Sequence, residues 1–192
     1  MTLYGWLIFA LWLILVAYWS LSTGTVMRRA GTRWIWWREI PIRLGFFAVV
    51  VLASRAAISN HMLPNANLYA FNSSPKLGLI GFGCSVFGVG LAMLARAYLG
   101  RNWGTPTSNR QNAALVTTGP YRLVRHPLYS GLLVAMLGSA IGQSVFWLLP
   151  LIVYGPYFVR GARREEELLL EQFPGRYRAY MKRTKMLLPF VL

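Results

Sequence analysis

Acidic residues are scarce in this chain, which has five Asp and Glu residues against 20 Lys and Arg residues. Charged residues make up 13% of the 192 residues, about half the share that is typical of a soluble domain. The formal net charge of +15 is of the kind that attracts nucleic acid. However, the basic residues follow apolar blocks, as they do in the cytoplasmic loops of membrane proteins. We therefore expect no nucleic-acid partner.

Two further absences narrow the class of protein. Cys84 is the single cysteine and lies inside an apolar block, which excludes a disulfide within the chain, and the sequence predicts no metal site. The first apolar block has neither a basic segment before it nor a small-residue cleavage site after it. We therefore expect this block to be a membrane span rather than a signal peptide.

Long uncharged runs indicate that the chain crosses a membrane. Residues 3–21 (LYGWLIFALWLILVAYWSL) carry no charge and are long enough to span a hydrocarbon core of about 30 Å. Residues 77–95 form a second run, rich in the small residues that let membrane helices approach closely. We predict an all-α integral membrane protein with one domain, residues 1–192, and about five transmembrane helices. The predicted spans are residues 3–21, 42–62, 77–99, 128–143 and 145–159.

The stretch between His126 and Arg160 has an informative length. Its 33 residues would make a helix of about 50 Å, far longer than one span requires, whereas two full spans require about 40 residues. We therefore predict a tight hairpin of two short or tilted helices that turns near residues 142–144 or at Pro150. Such a hairpin brings residues 100–127 and 160–192 to one face. The basic loops predict that this face and the C-terminus are cytoplasmic and that the N-terminus is outside.

Four of the five acidic residues lie together just after this hairpin, at Glu165, Glu166, Glu167 and Glu171. They begin a predicted helix that Pro174-Gly175 should break, after which Tyr177 and Tyr180 resume a helical spacing. One interpretation is that the acids favour the helix macrodipole and offset nearby arginines. The other is that they bind a cation or a pair of sugar hydroxyls.

The string GPYRLVRHPLYSG, residues 119–131, precedes the hairpin and contains one of the two histidines of the chain. Its Gly-Pro and His-Pro pairs are typical of turns and of helix starts. Its arginines and tyrosines also suit a membrane interface. From local physics alone, both a structural anchor and a ligand site remain open.

Two motifs together resemble a known family. The pattern G-P-Y-x-x-x-R-H-P-x-Y-x-G is followed, after the hairpin, by E-E-x-x-L-x-x-x-F-x-x-x-Y-x-x-Y and a terminal L-L-P. This arrangement resembles the isoprenylcysteine carboxyl methyltransferases, which are membrane enzymes, over about residues 98–190. Phospholipid N-methyltransferases share a looser version. The chain does not resemble a soluble Rossmann methyltransferase, since it has no Gly-rich turn after a strand.

The resemblance implies S-adenosylmethionine as the cofactor, in a cytoplasm-facing pocket between the loop before the hairpin and the C-terminal helical segment. The cofactor-binding residues that it implies are Leu115, Val116, Gly119, Tyr121, His126, Pro127, Tyr129, Glu165, Glu166, Leu188 and Pro189. Arg125 is the candidate for orienting the substrate, with Arg96, Arg101 and Arg55 as alternatives. The sequence does not choose among these arginines.

The resemblance also implies methyl transfer to a lipophilic or lipid-linked acceptor that enters from the membrane. A carboxylate, as in isoprenylcysteine, or a thiol is the leading expectation, in a compact protein of a prokaryotic inner membrane. A phospholipid or other amine acceptor is the alternative, and it would require a general base, for which His126 is the candidate. A membrane scaffold that keeps the fold without the activity is a third hypothesis. The oligomeric state is not predicted.

Overall fold

The computed structural model describes residues 2–30, 74–102 and 114–188, together with Gly45 and Ala48. Within these ranges the chain is helical, and its one β-type pairing is an isolated parallel bridge between Val124 and Lys185. The predicted all-α class is therefore confirmed. The α-helices are α1 (Leu3–Ala30), α2 (Pro75–Leu99), α3 (Pro127–Gly142), α4 (Leu148–Gln172) and α5 (Pro174–Arg183). Short 3-10 turns occur at Gly100–Asn102, Gly119–Arg122 and Val145–Trp147.

Among the residues that the structure describes, three stretches are long and apolar enough to cross a membrane: Leu3–Ser22, Pro75–Leu99 and Val145–Gln172. Helix α3 is apolar but shorter. The first and third predicted spans thus coincide with helices of the structure. The second, residues 42–62, lies outside the described residues except for Gly45 and Ala48, which are both helical. The count of five spans therefore stays a prediction.

The hairpin between α3 and α4 turns where the sequence predicted. Gln143 and Ser144 leave α3, and the Ser144 hydroxyl accepts a hydrogen bond from the backbone N–H of Phe146. Pro150 lies in the first turn of α4, where a missing N–H costs no helical hydrogen bond. The outgoing helix is longer than the predicted span, because α4 continues unbroken past residue 159 to Gln172. Residues 163–172 are mostly Arg, Glu, Leu and Gln, which are good helix formers, so the acidic segment extends the spanning helix.

Small residues set the distance between α2 and α3. A Cβ added at Gly81 would overlap the backbone of Gly142, and one added at Gly88 would overlap the backbone of Ala135. By contrast, a Cβ at Gly83 or Gly90 would meet nothing. The prediction that small residues let these spans approach closely is confirmed for Gly81 and Gly88, which occupy one face of α2.

Helix α1 is attached to the turn of the hairpin by two tryptophans. The indole rings of Trp12 and Trp147 stack with centroids 5.0 Å apart, and both side chains are fully buried. Trp12 Nε1 donates to Ser139 Oγ at 2.9 Å, and Trp147 Nε1 donates to Gln143 Oε1 at 2.6 Å. Both N–H groups are thus satisfied in the core, as buried indoles require.

Candidate functional site

The residues that follow α5 lie along the loop that precedes α3. We call residues 184–188 the C-terminal strap. The backbone N–H of Arg125 donates to Lys185 O at 2.8 Å, and that of His126 donates to Met186 O at 3.0 Å. One helical turn into α3, Ser130 Oγ donates to Leu187 O at 2.5 Å. The hairpin therefore brings the two polar segments together, as its length predicted.

His126 lies between two carboxylates of α4. Its Nδ1 is 3.4 Å from Glu165 Oε2, and its Nε2 is 3.3 Å from Glu166 Oε1. The imidazole is 6% exposed, the Glu166 side chain 10% and the Glu165 side chain 39%. Burial disfavours a charged imidazole, but the hydrogen bonds to Glu165 and Glu166 outweigh it and raise the pKa of His126 above its usual value. The raised pKa favours the imidazolium form, in which each ring nitrogen can donate to one of the two glutamates.

Arg125 links Glu166 to the end of α5. Its Nε donates to Glu166 Oε1 at 2.6 Å, and one terminal nitrogen donates to the carbonyls of Thr184 and Met181. Cations at a helix C-terminus stabilise it, because the last carbonyls have no partner within the helix. In the structure, Arg125 thus connects Glu166 to the end of α5, and the predicted contact with substrate stays a prediction.

Tyr129 joins the carboxylates to a column of aromatic rings. Its hydroxyl donates to Glu165 Oε1 at 2.5 Å. Its ring stacks on His126 with centroids 5.7 Å apart, and on Phe158 with centroids 5.1 Å apart. Phe158 in turn stacks on Tyr154 at 5.9 Å. We call His126, Tyr129, Phe158 and Tyr154 the ring column, which runs from the charged cluster into the apolar part of α4.

The Gly119 turn is fixed by tyrosines. Gly119 has φ +60°, and a Cβ at this position would overlap the ring of Tyr98, so this position requires glycine for two reasons. Tyr121 is buried and donates to Ala95 O at 3.3 Å, and Tyr180 donates to Tyr121 O at 2.5 Å. Burial is the main cause that raises the pKa of Tyr180 to about 12. Both tyrosines therefore remain neutral donors that fasten the loop to α2 and α5.

The other predicted site residues lie around this cluster. Pro127 is buried at the first position of α3, and Val116 packs against the core. Leu115 is half-buried before the turn, and Leu188 is 49% exposed on the strap. Pro189 and Arg55 lie outside the described residues, as does the side chain of Arg101. Arg96 is buried and donates to the carbonyls of Ser22 and Gly100.

Among the residues of this site that sequence reasoning missed are Ser130, Phe158 and Thr184. A signal for Phe158 was present, because it precedes Glu165 by seven residues, which places both on one face of a helix. Ser130 lies inside the string GPYRLVRHPLYSG but has no local feature that predicts a bond to the strap. Thr184 contributes its backbone carbonyl, which no side-chain pattern reveals.

Comparison with known proteins identifies the family. The model of a family described as phospholipid methyltransferase matches residues 77–176, more than half of the chain. The chain belongs to this family. The match includes α3, the His126 segment and both glutamates, and it agrees with the apolar helices of a membrane protein.

The relatives agree with the resemblance found in the sequence. The chain is 30% identical over 116 residues to a protein-S-isoprenylcysteine O-methyltransferase of Schizosaccharomyces pombe (58% of this chain, 48% of that protein). It is 40% identical over 72 residues to a methanethiol S-methyltransferase of Pseudomonas deceptionensis (36% and 26%). It is 34% identical over 104 residues to a nickel-cobalt-cadmium resistance protein of Alcaligenes xylosoxydans xylosoxydans (53% and 48%). The chain thus spans half or less of the length of these relatives, and the resemblance to isoprenylcysteine methyltransferases is confirmed.

Proposed function

We propose that this protein transfers a methyl group from S-adenosylmethionine to a lipophilic acceptor, either a carboxylate or a thiol. The family and the printed activities of two relatives support methyl transfer. The observation that carries the choice of acceptor is the position of His126 between Glu165 and Glu166.

The carboxylates and aromatic rings of the cluster suit the cofactor. S-adenosylmethionine presents an ammonium group, ribose hydroxyls and a sulfonium, all of which favour carboxylates or aromatic faces. Glu165 is the more exposed carboxylate and contacts Tyr129 and His126, whereas Glu166 is more buried and is paired with Arg125 and His126. We therefore assign Glu165 to the polar end of the cofactor, with His126 and Tyr129 beside it. Leu115, Val116, Gly119, Tyr121, Pro127, Glu166, Leu188 and Pro189 would complete the pocket.

The bound cofactor supplies an electrophilic methyl group, and the protein contributes alignment and exclusion of water. A carboxylate attacks such a group without losing a proton. A thiol first releases its proton to solvent, which it does at about pH 8.5, whereas an alkyl ammonium does so only at about pH 10.4. An ammonium must first be deprotonated, and in the imidazolium form that the raised pKa favours, His126 has no free nitrogen to accept that proton. The geometry therefore favours an acceptor that is already an anion.

The ring column supports an acceptor that arrives from the bilayer. It leads from His126 to Tyr154 beside the apolar surface of α4, where Ile152 and Val153 are exposed. We place the cluster on the cytoplasmic side and the N-terminus outside, following the basic loops.

An assay with the purified protein, radiolabelled S-adenosylmethionine and matched acceptors tests the proposal. The acceptors are a prenylcysteine analogue, a fatty acid, an alkyl thiol and an alkyl amine of similar chain length. We expect label on the thiol or on a carboxylate. Label on the amine alone would contradict the choice of acceptor, and an absence of label on all four with no cofactor binding would favour a scaffold.

An amine acceptor is the second candidate, because the matching family is described as phospholipid methyltransferase. The two candidates differ in their pH dependence. N-methylation should slow as the pH falls below the pKa of the acceptor amine, whereas methylation of a carboxylate should not change there.

A further inference from the structure

Helix α5 presents basic residues on its exposed face. Tyr177 is fully buried and Tyr180 and Met181 are half-buried on the other face. Beyond Pro174 and Gly175 at its start, the exposed positions around the helix are Arg176, Arg178, Ala179, Lys182 and Arg183. This face has four cations and no acidic residue, and Arg178 and Lys182 are spaced i, i+4, at which like charges destabilise a helix.

The C-terminal end of this face meets the loop before α3. Lys185 follows α5 directly and is bridged to Val124, so Arg122 and Leu123 lie next to it. We call Arg122, Lys182, Arg183 and Lys185 the basic patch, and all four are exposed. The ion pairs between described residues use Arg125 and His126. Within this part of the chain, the patch therefore has no carboxylate partner.

Two exposed leucines border the patch. Leu123 is 66% exposed and Leu188 is 49% exposed, and both flank the bridge between Val124 and Lys185. Val124 is three residues before the start of α3 at Pro127, which places the bridge within about 10 Å of the apolar helix. The macrodipole of α5 accounts for Lys182 and Arg183. The macrodipole does not explain why Leu123 and Leu188 are exposed or why Arg122 lies beside them.

We propose that the basic patch binds the head groups of anionic phospholipids in the same membrane, while Leu123 and Leu188 contact their acyl chains. Each Lys or Arg next to an anionic bilayer is attracted to it. An exposed apolar side chain lowers its free energy when it leaves water for the acyl chains. Because the patch includes Lys185 of the strap, lipid binding holds the strap against Arg125 and His126. This inference does not depend on the methyl-transfer assignment.

Reconstitution of the full chain in nanodiscs tests the proposal. The thermal unfolding midpoint is measured in phosphatidylcholine and in phosphatidylcholine with about 30 mol% phosphatidylglycerol. We expect the anionic lipid to raise the midpoint by roughly 4 °C, and this increase should shrink in high salt. Inorganic phosphate added to phosphatidylcholine discs should have no such effect. An equal increase with phosphate would show that the patch binds free anions rather than lipid.

Two double variants that each remove two cations distinguish lipid binding at the basic patch from an effect of the overall surface charge. In Arg183→Gln/Lys185→Gln, the increase with phosphatidylglycerol should be lost. In Arg176→Gln/Arg178→Gln, which removes two cations at the other end of α5, it should remain. Equal increases in both variants, or no increase in the unaltered protein, would overturn the proposal. Because each variant is compared with itself in the two lipids, a general loss of stability does not obscure the result.

Discussion

Nε2 of His126 lies 3.3 Å from Oε1 of Glu166, although 40 residues separate the two positions along the chain. The α3–α4 hairpin creates this contact, because it returns the chain to the face on which the loop begins. The same carboxylate oxygen accepts from Arg125 Nε. Two cationic groups thus share one buried acid, and the second acid, Glu165, remains half-exposed beside them.

The charge of His126 should make stability depend on pH. The pKa of His126 is raised in the folded protein above its usual value of 6.5. The protonated His126 therefore stabilises the folded protein fully below about pH 6.5. This contribution is lost as the pH rises through the pKa that His126 has in the folded protein. Thermal unfolding midpoints of the protein in detergent, followed from pH 5 to pH 9, measure this loss. The variant His126→Gln should lack it, and parallel curves for the two proteins would show that His126 is not an imidazolium.

Removal of Arg125 should destabilise the protein strongly. Arg125→Ala leaves Glu166 buried with one partner fewer, and breaking a buried ion pair of this kind costs about 3 kcal/mol. Arg178→Ala removes an exposed cation and should change the unfolding free energy by no more than about 0.5 kcal/mol. Denaturant unfolding of both variants measures these values. Equal stability of the two variants, together with a raised KM for the acceptor in Arg125→Ala, would instead assign Arg125 to substrate.

The distance between α2 and α3 should tolerate no side chain at Gly88. Gly88→Val places its side chain against the backbone of Ala135, so the helices must separate and the cluster loses its support. Gly90→Val faces open space in the described structure and should leave the midpoint nearly unchanged. Size-exclusion profiles and thermal midpoints of the two variants test this. A stable Gly88→Val protein would show that the two helices are not in close contact.

Much of this arrangement was predictable from the sequence, and the reasons are physical. The spans follow from uncharged runs, and the meeting of the His126 segment with Glu165 follows from a stretch too short for two full spans. The continuation of α4 to Gln172 was not predicted, because the loss of hydrophobicity after Val159 resembles the end of a helix. The partners of Arg125 were not predictable either. Besides Glu166, they are two backbone carbonyls more than 50 residues away, and no local pattern encodes them.

The pairing of the C-terminal strap with the loop before α3 could not be predicted from the sequence either. Val124 and Lys185 are bridged, but neither residue is unusual in its own segment. The sequence could place the strap near the pocket only through the family resemblance. Its hydrogen bonds to Arg125, His126 and Ser130 come from the structure.

The proposed function requires that the cluster of His126, Glu165 and Tyr129 binds the methyl donor. Isothermal titration calorimetry with S-adenosylhomocysteine tests this most directly, with the unaltered protein compared with Glu165→Gln, His126→Ala and Glu167→Gln. Glu167 is exposed on the same helix and serves as the matched control. We predict that the first two variants bind at least tenfold more weakly, a loss of about 1.4 kcal/mol, and that Glu167→Gln binds normally. Unchanged affinity in both Glu165→Gln and His126→Ala would contradict the account and would make the cluster a structural anchor.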